Sequence, residues 1–440
     1  MTTEEEKKLG KNVLLEIKRE ANFVRDLNVQ AFVERIGYSL VDQLSTTPFE
    51  FKFYVINELD PNAFAVPGGY IFINTGLIVL AENEQEIAGV LAHEISHVTQ
   101  RHVAQMVERS KRLNIASLAA IVAAMIAGRG GAGSQAGVAM AAGTAGALTL
   151  KYSREIETDA DQHGLHLLIK AGYDPKGMIN LFNRLQKLSL AMAPKIPAYL
   201  LSHPAIEERI SLLENILQMG PKPTGPFKTI ENFNKIRTMA FIEEREPQTA
   251  VTYFQSLVDA NPRHWEGYYG LGLAYRKMGR LDKSMEVLQQ AHAFAPKDPD
   301  VSRELGIVYF LSGKVDQAIE KLEALRATPG QGQLNDPMTL YYLGRGYQEK
   351  GEFVKALPLL LEVKKGEPEF LDVYRDLGSV YGRTEQKGLS HFYFGKYFKL
   401  KQERKNALLH FRTALDWLER GSPEREEAQN EMKELASLKP

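Results

Sequence analysis

The sequence predicts a chain of two builds: a mainly α domain with a small β-sheet (α+β) over residues 1–218, then an all-α repeat solenoid over 234–440, with a linker at 219–233. Three observations predict this. Short apolar or alternating runs between residues 49 and 74 sit among long helical patterns. The stretch "MGPKPTGPFKTIENF", Met219–Phe233, is rich in Pro and Gly and marks a boundary. Beyond it the chain repeats itself. A length of 440 residues suits two or three domains.

Composition narrows the function classes. Hydrophobic residues are 44% and charged residues 25%, ordinary for a globular protein. A net charge of −1 gives no global basic field to hold nucleic acid or anionic lipid. The absence of cysteine excludes disulfides, thiolate metal sites and a cysteine nucleophile, and leaves the compartment open. The start, "MTTEEEKKLGKNVLLEIKRE", lacks the basic and apolar regions of a signal peptide, so the expectation is a cytoplasmic protein or a mature, exported form.

Taken in order, Leu9 to Leu44 reads as one or two amphipathic helices. "FEFKFYVIN", Phe49–Asn57, alternates and predicts a half-buried strand. Pro67-Gly68-Gly69 is a turn, and Tyr70–Asn74 a second strand. Glu84 to about Arg109 reads as one helix, apolar at Ile87, Val90, Leu91 and Ile95. Residues 114–150 are mostly Ala, Gly and small apolar types. Their GxGxxG match at 128–133 follows no strand and is not read as a nucleotide loop. The apolar run before Gly128 is about 15 residues, short of the ~20 that span a bilayer. The segment is expected to be a packed helical hairpin, or else a lid or membrane-touching hairpin near the active site.

The repeats are regular. Gly272 and Gly306, Tyr275 and Tyr309, and Gly279 and Gly313 are each 34 apart. A third copy has Gly344, Tyr347 and Gly351, 38 residues on, with the extra four assigned to the loop "TPGQGQLNDP". A fourth starts at "LGSVYG" with Gly378. "EPQTAVTYFQSLVDANP" resembles the second helix of a divergent first copy. The period and positions resemble the tetratricopeptide (TPR) helix–turn–helix, whose arrays offer a concave binding face and imply no catalysis by themselves.

The chemistry concentrates in "VLAHEISHV". His93 and His97 share a helix face, and Glu94 is rotated by about 100° from the first, so it can reach a water beside an ion that both imidazoles hold. Such a match arises by chance in very roughly one protein per hundred of this length. Zinc would need a third protein ligand. The sequence has Gln100 and Val103 where a metzincin has Gly and His. His102 would be turned away from the His93/His97 face. The remaining source is "SREIETDADQHG", where Glu157 could bind metal and Asp161, four residues on, could accept from the outer nitrogen of a ligand histidine. On its own that pair would read as a solvated acidic helix face.

"VLAHEISHV", then "SREIETDAD", then "SHPAIEERI" is similar to the HtpX/BepA-type zinc metallopeptidases, the family that includes the CAAX prenyl proteases. The resemblance covers roughly residues 4–214. With the TPR array, the whole chain resembles the BepA-type protease–chaperones. It implies one zinc ion held by His93, His97 and Glu157, with Glu94 as general base. Asp161 would hold a ligand histidine or donate a proton, and His203 would stabilise the oxyanion or plug the fourth metal position. Arg154 and Arg209 would be supporting residues. The implied activity is a metalloendopeptidase acting on misfolded or unassembled envelope proteins, with a mainly chaperone or scaffold role as the alternative. A substrate would lie along an exposed strand edge, for which Tyr70–Asn74 is the candidate. Implied partners are client proteins and the outer-membrane assembly machinery at the TPR concave face, with peripheral membrane contact but no nucleic acid. The implied location is the bacterial periplasm.

Overall fold

The computed structural model describes residues 1–109, 152–220, 226–229, 232–327 and 336–437, and the chain divides into compact units at 1–246 and 247–440. The 114–150 segment, the 328–335 loop and residues 221–225 and 230–231 of the expected linker lie outside the described residues.

In the first unit, α1 (Thr3–Glu20) begins at a capping box, Thr2 accepting from the Glu5 amide and Glu5 from the Thr2 amide. α2 (Leu27–Val41) follows an Asp26 cap, so Leu9–Leu44 forms two helices. β1 (Lys52–Ile56), β2 (Ala63–Val66) and β3 (Tyr70–Asn74) make a sheet of order β1-β3-β2, parallel between β1 and β3 and antiparallel between β2 and β3. Tyr70–Asn74 is thus the central strand and cannot be the open edge expected from sequence. Ala63–Val66, four apolar residues without alternation, folds back across the Pro67–Gly69 turn and takes its second side.

β1 also departs from its half-buried expectation: Phe53 to Ile56 are all buried. Each face meets a helix. Tyr54 and Ile56 join Phe64, Val66 and Phe72 against Val13, Leu14 and Ile17 of α1. Tyr54, Phe72 and Phe64 stack in a row across the sheet at 5.2 and 5.0 Å. On the other face Phe53 presses on α2 where Gly37 leaves room; a Cβ there would sit 2.4 Å from the Phe53 ring.

α3 (Thr75–Leu80) leads to α4 (Glu84–Thr99), a helix buried along nearly all its length. The single helix expected over Glu84–Arg109 is broken. Arg101 adopts a left-handed φ of 56°, its guanidinium held 2.7 Å from the buried Glu6 carboxylate, and α5 (His102–Arg109) starts in a new direction. α6 (Arg154–Ala171), α7 (Lys176–Ala191), α8 (Ala198–Ser202) and α9 (Ile206–Met219) complete the site. α4 packs on both α6 and α7. Gly164 of α6 allows the close approach: a Cβ would lie 3.1 Å from the Ala92 carbonyl carbon and the His93 nitrogen.

The compact units divide after Glu246, beyond the Pro- and Gly-rich stretch. α10 (Phe233–Glu244), expected to open the repeat domain, packs on α2 and α3 of the first unit. Phe233 meets Phe32 at 5.8 Å, and Asn57 Nδ2 donates to the Glu243 carbonyl at 3.0 Å.

The second unit is a series of helix pairs. Trp265–Lys277 pairs with Leu281–Phe294, Pro299–Leu311 with Val315–Arg326, Pro337–Glu349 with Phe353–Gly366, and Leu371–Arg383 with Lys387–Leu400. In the first three pairs a glycine meets a leucine of the partner helix: Gly272 with Leu288, Gly306 with Leu322, Gly344 with Leu360. In the fourth pair Gly378 meets Phe394. Helix Pro247–Ala260 packs on the first pair, and Arg404–Trp417 and Pro423–Ser437 close the series. Among the described residues no helix is long and apolar enough to cross a membrane.

Candidate metal centre

Four elements meet at one buried point. α4 supplies His93, Glu94 and His97; α6 supplies Glu157 in its first turn and Asp161 one turn on; His203 caps the short α8; Arg209 comes from α9. The first six are 0% exposed and Arg209 is 2% exposed. The Ser153 cap starts α6, and the helix N-terminus favours a carboxylate at Glu157.

His93, His97, Glu157 and His203 form a group whose ligand atoms all lie within 4.8 Å of one another. His93 Nε2 is 3.0 Å from His97 Nε2, 3.7 Å from Glu157 Oε2 and 3.3 Å from His203 Nδ1. His97 Nε2 is 3.5 Å from Glu157 Oε1, which lies 3.0 Å from His203 Nδ1. Ligands about 2.1 Å from a tetrahedral ion stand about 3.4 Å apart, so these separations fit the edges of one such site.

The outer nitrogens explain why the inner ones can bind metal. His93 Nδ1 lies 2.8 Å from Asp161 Oδ1 and donates to it, which leaves Nε2 of a neutral His93 as a lone pair. His97 Nδ1 is 3.0 Å from His102 Nδ1, and His102 Nε2 is 3.1 Å from Asp159 Oδ2. Two imidazole nitrogens 3.0 Å apart beside a carboxylate share either a proton or a cation. The residues therefore fit a divalent metal.

Arg209 balances the carboxylates. Its Nε and Nη2 donate to the two Asp161 oxygens at 2.7 Å each, Nη1 is 2.6 Å from Glu157 Oε2, and its plane lies over Phe182. Burial would raise Glu157, but His203 and Arg209 hold it well below the carboxylate range. Burial would likewise raise Asp161, and Arg209 keeps it low. Burial holds His97 well below the ordinary imidazole value. Burial opposes protonation of His203, yet Glu157 and Glu94 raise it. Burial pushes Glu94 up, against His203 and His93. Both Glu94 oxygens lack a hydrogen-bond partner among the described residues, and His203 Nε2 is 3.5 Å from Oε1. A bound cation would draw Glu94 back toward the ionised form that a base needs.

Of the residues named from sequence, Arg154 stays apart: it is 70% exposed and pairs with Glu208 at 2.7 Å. Sequence reasoning missed Tyr152, stacked on His97 at 4.1 Å, and Tyr199, stacked on His203 at 4.4 Å. Burial lifts both phenols well above their usual value. No sequence signal marks either. His102 is also placed differently from expectation. The break at Arg101 turns it back onto His97.

Residues 26–217 match peptidase family M48, and residues 239–299 match a tetratricopeptide repeat. A Vibrio cholerae relative is 30% identical over 297 residues, 66% of this chain and 60% of its own length. The beta-barrel assembly-enhancing protease of Yersinia pestis is 28% identical over 72% of this chain and 63% of its own length. That of Escherichia coli K12 is 26% identical over 81% and 72%. The chain thus spans about three fifths of the length of the first of these relatives.

Proposed function

We propose that the chain, whose residues 26–217 match peptidase family M48 and residues 239–299 a tetratricopeptide repeat, is a zinc-dependent endopeptidase. Its substrates are misfolded or unassembled envelope proteins. The observation that carries this reading is the pair of facing imidazole nitrogens, 3.0 Å apart, beside the Glu157 carboxylate. His93, His97 and Glu157 would hold one zinc ion, which supplies Lewis-acid chemistry when bound. Glu94 takes the proton of the attacking water and passes it to the leaving amine. Asp161 fixes the tautomer of His93, and Arg209 keeps Asp161 and Glu157 ionised. An extended substrate pairs with an open sheet edge. Of the two edges, β2 is the one packed on α4.

His203 is a reversible plug. Its Nδ1 stands where a fourth ligand would, which supports a resting state closed to substrate. The same closure favours a second reading, in which the chain is mainly a client-binding scaffold with a latent protease. The chain works in the bacterial periplasm, and the printed name of its relatives, beta-barrel assembly-enhancing protease, supports the β-barrel assembly machinery as partner of the repeat array.

Metal content and casein cleavage of wild type, Glu94→Gln and His203→Ala test the proposal. Glu94→Gln should retain metal and lose about 10²–10⁴-fold in cleavage. His203→Ala should cleave faster than wild type. A Glu94→Gln protein that cleaves normally overturns the base assignment, and a slower His203→Ala overturns the plug.

A further inference from the structure

We infer that His102 is the positioning residue of His97, and that His102 and Asp159 together form a relay that decides which nitrogen of His97 faces the metal. The inference rests on the metal-site reading above. His97 Nε2 faces His93 and Glu157, so Nδ1 is its outer nitrogen, 3.0 Å from His102 Nδ1. The proton positions follow from the far end of the chain. An ionised Asp159 only accepts, so His102 Nε2 carries a proton and donates it across 3.1 Å. A neutral His102 then offers a lone pair at Nδ1. His97 must donate from its own Nδ1, which leaves its Nε2 free for metal. Tyr152 lies flat on the His97 ring and fixes its plane.

The two ligand histidines are thus anchored differently. His93 has a buried carboxylate directly behind it, Asp161. A second carboxylate behind His97 would be a fourth buried acid beside Glu94, Glu157 and Asp161, with Arg209 the buried cation that balances them. A neutral imidazole avoids that charge. It carries the interaction outward to Asp159, which is 43% exposed and stays hydrated.

The backbone departs from a regular helix to make this contact. On an unbroken helix His102, five residues after His97, would be turned about 140° from it. The left-handed Arg101 brings it back. That conformation is strained for a residue other than glycine, and the Arg101–Glu6 ion pair holds it in place. Strain retained beside a ligand is expected where the displaced side chain has a task.

The test is zinc affinity by competition with a chelating dye, on the full chain, for wild type, His97→Ala, His102→Leu, His102→Asn and Asp159→Ala. Melting of each zinc-free protein checks the fold. His102→Leu should weaken zinc by about 10- to 100-fold, the usual effect of losing a ligand's hydrogen-bond partner. His102→Asn should recover most of that loss, because its Oδ1 can accept where Nδ1 did. A side chain that merely fills space would not be rescued in this way. Asp159→Ala should lose several-fold. Wild-type affinity in His102→Leu, or a His102→Asn as weak as the leucine variant, overturns the relay. If His102→Leu does not fold, unchanged affinity in Asp159→Ala overturns it instead. Wild type that binds no zinc, or His97→Ala that binds normally, sinks the metal-site reading and not the relay alone.

Discussion

The first unit buries seven ionisable side chains around one point, His93, Glu94, His97, Glu157, Asp161, His203 and Arg209, none more than 2% exposed. The second unit places a glycine against a leucine in three successive helix pairs and against a phenylalanine in the fourth. In the first, each group sets the charge or tautomer of its neighbours, so one loss spreads. In the second, each repeat touches only the next, so one loss stays local. Chemistry was built where contacts are unique, and a binding surface where they recur.

The largest break in that contrast should come from Arg209→Met. It leaves Asp161 and Glu157 buried without their cation, a loss of about 3–5 kcal/mol in the metal-free protein by urea unfolding. A smaller loss than that of any glycine variant below would erase the distinction between the units.

Glu244, buried at the end of α10 beside Thr75, Glu58 and Arg245, comes next. Burial lifts its carboxyl to about 7, against the pull of Arg245. The raised value means that folding favours the protonated acid. Stability is fully present below the unfolded value of 4.5, falls as pH rises, and levels off above 7. At about 1.4 kcal/mol per pH unit over the interval from 4.5 to about 7, Glu244→Gln should gain about 3 kcal/mol over wild type at pH 8. The gain should vanish near pH 4, as thermal melts across pH would show.

The repeats should respond less. Gly306→Ala puts a methyl 2.6 Å from the Leu322 side chain, a crowding worth about 1–3 kcal/mol. Gly313→Ala meets nothing within 4 Å but forces alanine into a φ of 76°, about 1 kcal/mol. Both tryptophans, Trp265 and Trp417, lie in the second unit, so their fluorescence follows its unfolding. Equal losses at the two glycines would show that turn geometry, not helix contact, limits the array.

The same contrast decides what could be read from sequence. The repeats were legible because their glycines recur at 34, 38 and 34 residues. The two histidines, Glu157 and Asp161 were legible because α-helical spacing puts each pair on one face. Ala63–Val66 was not, since a strand covered on both faces shows no alternation. His102 was not, because no Gly or Pro announces the break at Arg101; its cause is an ion pair to Glu6, 95 residues away. The packing of α10 is not legible either, because its partners, α2 and α3, are remote in sequence.

The most direct test of the metal centre is anomalous scattering at the zinc edge from crystals grown with zinc. One peak about 2.0–2.2 Å from Nε2 of His93, Nε2 of His97 and a Glu157 oxygen is the expected result. No peak there, or a Glu157 carboxylate turned away from an ion held by the two imidazoles, would contradict it.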